Sequence, residues 1–224
     1  MKPTEAQKLS LQTYLHDTLS YRETYEEIYD HILSAMEFQP EGVSFEDAIN
    51  NIIRNDFGGA KNLVKIETES KNAMVKEGLN KFLRFVTQYF KLPLLLYTVL
   101  ATVQTYYFLS KINPGAIAIE AILVLLTMLV PCAIHLLRLY NTGYLLSTTR
   151  KSARDKMFDN LAAGPIRLLL LLNVWIANTS TFNEWFGSHP YIITMVLLVC
   201  TVYDLALYQL YTDEFKTVTE HKRV

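Results

Sequence analysis

The charged residues of this chain are so unevenly spread that one soluble domain cannot accommodate it. Of 43 Lys, Arg, Asp and Glu side chains, the first 91 residues hold 25 and the remaining 133 hold 18. Half of the 224 residues are apolar, a share that a water-soluble fold rarely carries in so polarised an arrangement. Beyond residue 91, four stretches, 92–110, 116–139, 165–182 and 191–210, approach the roughly 20 apolar residues that cross a hydrocarbon core of about 30 Å. The expected fold class is therefore all-α: a small cytoplasmic helical bundle followed by a four-helix transmembrane domain. The net charge of −1 averages two unlike halves and excludes a generally basic nucleic-acid binder.

Between the first two stretches lies Lys111-Ile112-Asn113-Pro114-Gly115, where proline and glycine stop one helix before the next begins. Together the two stretches read as a helical hairpin. The third is interrupted by Asn173 and Asn178 and only just reaches a crossing length, so a re-entrant course is the alternative there. Basic residues set the orientation. They cluster before the first stretch (Lys76, Lys81, Arg84, Lys91), in the second loop (Arg150, Lys151, Arg154, Lys156) and after the last stretch (Lys216, Lys222, Arg223). Four crossings bring all of these to one side and place both termini in the cytoplasm. Trp185, Phe186 and Tyr191 then lie at the outer interface. The polar start of the chain lacks the apolar core of a signal peptide. Cys132 and Cys200 lie in apolar runs and read as buried small side chains without a disulfide.

Glu120 and Asp204 are the acids inside the expected spans, and an intramembrane acid is a default candidate for function. At a rise of about 1.5 Å per residue, Asp204 falls nearly level with Asn173, and Gln104 nearly level with Glu120. These are candidate intramembrane polar contacts, Gln104 with Glu120 and Asn173 with Asp204. Their expected role is packing between helices, which contributes about 0.6 to 2 kcal/mol per contact; proton or ligand sensing is the sharper alternative. For Asp204 the expected partner is Asn173 or Arg167.

The domain pattern before the spans is residues 1–70 as a helical interaction domain and 71–91 as a basic amphipathic stalk, with the membrane domain over 92–212 and a cytoplasmic tail over 213–224. Three pairs, Thr4 with Gln7, Ser20 with Glu23 and Ser44 with Asp47, have the spacing by which side chains satisfy the free amides of a first helical turn. The first helix presents Leu11, Tyr14, Leu15 and Leu19 on one side. The second repeats Tyr21, Tyr25, Ile28, Tyr29, Ile32 and Met36, with Glu23, Glu26, Glu27 and Asp30 facing away. The third carries Ala48, Ile49, Ile52, Ile53 and Phe57 and stops at Gly58-Gly59. A fourth runs from Leu63 towards Phe90. So small a head draws stability from the membrane, from a second copy as a homo-oligomer, or from another protein.

Through Ser70 the chain carries six basic and thirteen acidic residues; from Lys71 to Lys91 it carries five basic and one acidic. Lys76, Lys81, Arg84 and Lys91 are therefore candidate contacts to anionic membrane lipids, each contributing about 1 kcal/mol near the surface. The acidic face of the second helix, Glu23, Glu26, Glu27 and Asp30 with His31, is the candidate partner-binding surface. Direct nucleic-acid contact is not expected from a head this acidic.

The run Tyr21-Arg22-Glu23-Thr24-Tyr25-Glu26-Glu27-Ile28-Tyr29-Asp30-His31-Ile32, the Ser44-Phe45-Glu46-Asp47-Ala48-Ile49 helix start and the following Asp56-Phe57-Gly58-Gly59 resemble the HAAS domain. That is the helical signalling module associated with helix-turn-helix regulators in bacterial membrane proteins. Where family members often read Gly-Asp-Pro, this chain has Gly58-Gly59-Ala60, which keeps the helix break and alters the turn. The resemblance covers the first third of the chain. It implies a multi-pass protein of the bacterial cytoplasmic membrane whose head works with a PadR-type transcriptional regulator.

The sequence has no glycine-rich phosphate loop, His-Glu-x-x-His pair or nucleophile elbow. No residue is assigned to catalysis, cofactor binding or metal ligation; Glu27 with His31, two groups without a third, reads as a surface ion pair. The leading expectation is a non-enzymatic signalling protein. The alternative is an accessory subunit of a membrane transporter, with Gln104, Glu120, Asn173 and Asp204 along a path.

Overall fold

A computed structural model describes residues 2–40, 42–112, 116–142, 152–176 and 188–216; at 116, 117, 119, 120, 167–176 and 216 it describes the backbone alone. Every regular element among these residues is helical. In chain order they are α1 (Glu5–Thr18), α2 (Arg22–Glu37), α3 (Phe45–Phe57), α4 (Ala60–Gln88), α5 (Leu94–Ile112), α6 (Ala116–Val124), α7 (Val130–Thr142), α8 (Ala153–Ile176) and α9 (Pro190–Tyr211). Single π-helical turns follow α6 (Leu125–Leu129) and α9 (Thr212–Lys216). The chain divides into two compact units, Met1–Gly78 with Thr149–Met157, and Leu79–Thr148 with Phe158–Val224.

In the first unit, α2 packs on α1 and α3. The threefold and fourfold spacing of the apolar residues puts Leu11, Leu15, Ile28, Ile32, Met36, Ala48 and Ile52 into one core with Leu63. Two of the three expected helix starts form as local caps. Thr4 and Gln7 exchange hydrogen bonds as a capping box, and Ser44 Oγ accepts from the Asp47 amide at 3.1 Å. The third does not form: α2 begins after Tyr21 with no cap from its own side chains. Instead Glu67, 6% exposed on α4, accepts from the Ser20 and Tyr21 amides at 2.6 and 2.8 Å. A carboxylate from a neighbouring helix thus accepts two amides at the start of α2, where a local Ser-Glu pair was expected to form the cap. Gly58 ends α3 at φ +74°, a conformation that costs a residue with a Cβ about 1 kcal/mol or more.

The second unit is organised around α9, which packs against α5 and α7. Among the described residues, two helices, Ala121–Thr142 and Pro190–Phe215, are long and apolar enough to cross a membrane. Four such helices were expected. For the expected 92–110, α5 (Leu94–Ile112) is helical over 19 residues but Tyr97, Thr98, Thr102, Gln104, Thr105, Tyr106 and Tyr107 dilute its apolar character. Within 165–182, α8 is described only to Ile176, and 177–182 lie outside the described residues. Cys132 and Cys200 are free and only half-buried, less enclosed than expected.

Two prolines shape these helices. Pro131 has no amide hydrogen to give the Thr127 carbonyl four residues earlier, and the ladder is a π-turn just before it, with the Val130 amide bonded to the Leu125 carbonyl. Pro165, inside α8, likewise deprives the Leu161 carbonyl of its donor. Tyr203 of α9 replaces it: the phenol donates to Leu161 O at 2.7 Å. Breaking the ladder in one helix is thereby compensated by a side chain of another, as helices in apolar surroundings require.

Candidate functional site

In the first unit, Glu23 of α2 reaches a segment 129 residues away. Ser152 Oγ donates to Glu23 Oε1 and the Ala153 amide donates to Glu23 Oε2 at 3.2 Å. Ser152 Oγ itself accepts from the Arg154 and Asp155 amides at 3.1 and 3.3 Å. Serine and glutamate together therefore cap the N-terminus of α8, where the helix dipole favours negative charge. Beside this cap, Lys156 Nζ donates to the Tyr21 hydroxyl at 3.3 Å and stands 5.8 Å from the ring centroid. Lys71 lies 5.9 Å from the same centroid, so one tyrosine ring serves two cations. Ser152, Ala153, Asp155 and Met157 are buried. Met157 packs on Gly78, where any Cβ would stand 2.6 Å from the methionine Cε.

The other expected head residues have different surroundings. Glu26 pairs with Arg22 at 3.7 Å. Glu27 and Asp30 are exposed. His31 pairs with Asp56 at 2.9 Å and meets the Phe57 ring edge-on at 5.0 Å, so its ionic partner is on α3 and not Glu27.

The second unit contains a buried cation. The Arg138 side chain of α7 is 2% exposed and donates from Nη2 to Asp159 Oδ1 at 2.6 Å. Its guanidinium lies 5.1 and 5.4 Å from the ring centroids of Phe158 and Phe215, two rings in edge-to-face contact. His135 Nδ1 is 3.4 Å from the same Asp159 oxygen. Arg138 thereby ties α7, the second turn of α8 and the turn after α9 at one point. Nearby in sequence, Asn141 donates to the Tyr211 hydroxyl. Lys81 of α4 is not a free lipid-facing cation: it is held by Glu214 and lies 3.6 Å from Asp213. Lys76, Arg84 and Lys91 are exposed. At the end of α4, Gln209 donates to the Tyr89 hydroxyl at 3.0 Å, and burial pushes the Tyr89 phenol pKa upward.

Of the intramembrane polar residues, Asp204 is 6% exposed, and its Oδ2 is buried with no hydrogen-bond partner among the described residues. Gln104 is exposed. The side chains of Glu120 and Asn173, and of Arg167, lie outside the described residues, so the expected pairings through them fall there too.

Sequence reasoning missed the Glu23–Ser152 cap, the Glu67 cap and the Arg138 cluster. A signal for the first was present: Ser152 and Asp155 repeat the hydroxyl-then-acid spacing of the head's own helix starts. Compared with known proteins, the chain matches no family model, no curated protein and no solved structure.

Proposed function

We propose that this is a non-enzymatic membrane signalling protein with four crossings, both termini cytoplasmic, in a bacterial inner membrane, whose head binds a cytoplasmic protein partner, a PadR-type regulator. The observation that carries the reading is the Glu23 cap. The head's acidic helix grips the first turn of α8, and α8 runs from there, through Pro165, to Ile176. A shift of α8 along or about its axis changes the donors that Glu23 meets, and a partner that captures Glu23 changes the stability of the first turn of α8. This is the differential contact that a two-state transmitter needs.

A further helix beside the two that are long and apolar enough supports a higher count: α5 spans 19 residues, about 28 Å at the usual rise, and exposes Leu96, Val99, Leu100, Val103 and Phe108. Four crossings also leave the basic segments on one side. Lys76, Arg84 and Lys91 remain available to anionic headgroups.

A second reading, an accessory subunit of a transporter, is favoured by Asp204, whose buried oxygen has no partner among the described residues. Purification from native membranes separates the two, using the full chain and a form lacking residues 1–70. A DNA-binding regulator recovered only with the full chain is the expected result. Recovery of the same transporter subunits by both forms refutes the signalling reading.

A further inference from the structure

From Leu79 to Leu92 the chain carries Lys81, Arg84 and Lys91 and no acid, and the second unit sorts this stretch into three faces. One packs on α9 and the turn after it. There Phe82 meets the Tyr203 ring edge-on at 5.0 Å, Lys81 is held by Glu214, and the Tyr89 hydroxyl accepts from Gln209 at 3.0 Å. Amide bonds from Tyr89, Phe90 and Lys91 to the carbonyls three residues back carry the helical turn past Gln88. A second face therefore aligns Leu79, Leu83 and Phe90, whose spacings of four and seven fall on one side of a helix. All three are exposed, Leu83 and Phe90 by more than half. On the third face stand Asn80, Arg84 and Lys91, exposed as well.

We propose that residues 79–92 form a lipid-binding helix lying in the plane of the membrane surface, with Leu79, Leu83 and Phe90 among the acyl chains and Arg84 and Lys91 at anionic headgroups. Three observations support this occupant. The stretch is tied to the start of a lipid-length helix: Thr98 Oγ1 of α5 donates to the Tyr89 carbonyl at 2.9 Å. Leu92, at the link, is 72% exposed, and the apolar exposure goes on along α5 at Leu96, Val99 and Leu100. The apolar stripe also borders the cations directly, the arrangement that seats a helix about 5–10 Å into the boundary of headgroups and acyl chains. Finally, the acids that would repel an anionic surface are neutralised within the protein, because Lys81 pairs with Glu214 and lies 3.6 Å from Asp213. One cation of the stretch thus serves the fold and two serve the lipid. The proposal rests on the reading of the chain as membrane-spanning, and names the surface and the lipid class that this segment recognises.

The test uses the full chain in nanodiscs of equal parts phosphatidylcholine and phosphatidylglycerol, with Cys132→Ala and Cys200→Ala as background. A bimane fluorophore is attached in turn to Leu83→Cys, Phe90→Cys, Asn80→Cys and Val199→Cys, the last an exposed position of α9 that reports the span itself. Brominated acyl chains quench a fluorophore they touch. They are expected to quench at Leu83 and Phe90 as strongly as at Val199, and severalfold less at Asn80. With only one of the two lipids brominated, phosphatidylglycerol should quench at Leu83 in preference to phosphatidylcholine, and Arg84→Gln or Lys91→Gln should each lower that preference about fivefold. Quenching at Val199 without quenching at Leu83 and Phe90 overturns the proposal and leaves the membrane reading standing, the result expected if a second copy of the chain covers the stripe. Absence of quenching at Val199 overturns both, so the two failures are distinguishable. Equal quenching by the two lipids, or a preference that Arg84→Gln and Lys91→Gln leave unchanged, also overturns the proposal.

Discussion

Tyr203→Phe removes one oxygen, and the structure says what that oxygen is for. Pro165 cannot donate to Leu161 O, and the Tyr203 hydroxyl does so at 2.7 Å. Phenylalanine keeps the ring, which lies edge-on to Phe82 at 5.0 Å, so packing is conserved and the lost interaction is isolated. An unpaired carbonyl in apolar surroundings costs about 1–3 kcal/mol, and the expected loss is about 2 kcal/mol. The decisive arm is Pro165→Ala. Alanine restores a backbone amide four residues after Leu161, so the carbonyl regains its ordinary helical donor. In that background Tyr203→Phe should cost less than about 0.5 kcal/mol, giving a coupling of about 1.5 kcal/mol between residues of different helices. Unfolding of the four proteins by SDS titration in mixed micelles measures it, with circular dichroism as the signal. Equal costs of Tyr203→Phe in both backgrounds would refute the argument that the phenol substitutes for the missing amide.

Three further outcomes are expected. Asp159→Asn should destabilise the second unit more than Arg138→Met does, because the first takes a carboxylate from beside a buried guanidinium, a loss of up to about 3 kcal/mol, and the second removes charge and desolvation cost together; thermal unfolding in detergent orders the two. Glu67→Ala strips two amides of their acceptor and should cost about 2–4 kcal/mol, read as faster hydrogen exchange throughout α2, whereas Ser20→Ala should change it by less than about 0.5 kcal/mol. Gly78→Val forces Met157 aside and should cost about 1–3 kcal/mol, part of which Met157→Ala returns; additive costs in the double variant would show that the two residues do not share one space.

Much of the head is legible in the sequence because its determinants are local. Thr4 with Gln7 and Ser44 with Asp47 cap within one turn, and Ile28, Ile32 and Met36 recur at the helical period, so spacing alone places caps and core. The same reasoning fails at Ser20 with Glu23. The spacing is right, yet Glu23 hydrogen-bonds Ser152 and Ala153, and Glu67 supplies the cap at α2. Local spacing says that a carboxylate can reach an amide, and cannot say which of two amides it meets once distant segments converge. In the body, apolar length identifies Ala121–Thr142 and Pro190–Phe215, and α5 shows the limit of that signal, since its tyrosines and threonines dilute a run of crossing length.

By itself the sequence determined the class, all-helical with an acidic head and an apolar body, because burial of periodic apolar faces and the cost of unpaired backbone groups leave few other solutions. It also determined where most helices start and stop. The tertiary structure alone decided the partners of the polar groups: Glu23 with Ser152, Glu67 with the start of α2, Tyr203 with the carbonyl that Pro165 leaves, and Arg138 with Asp159 between two phenylalanines. Each is a directional contact between segments far apart in the chain, and its geometry exists only after the helices have packed.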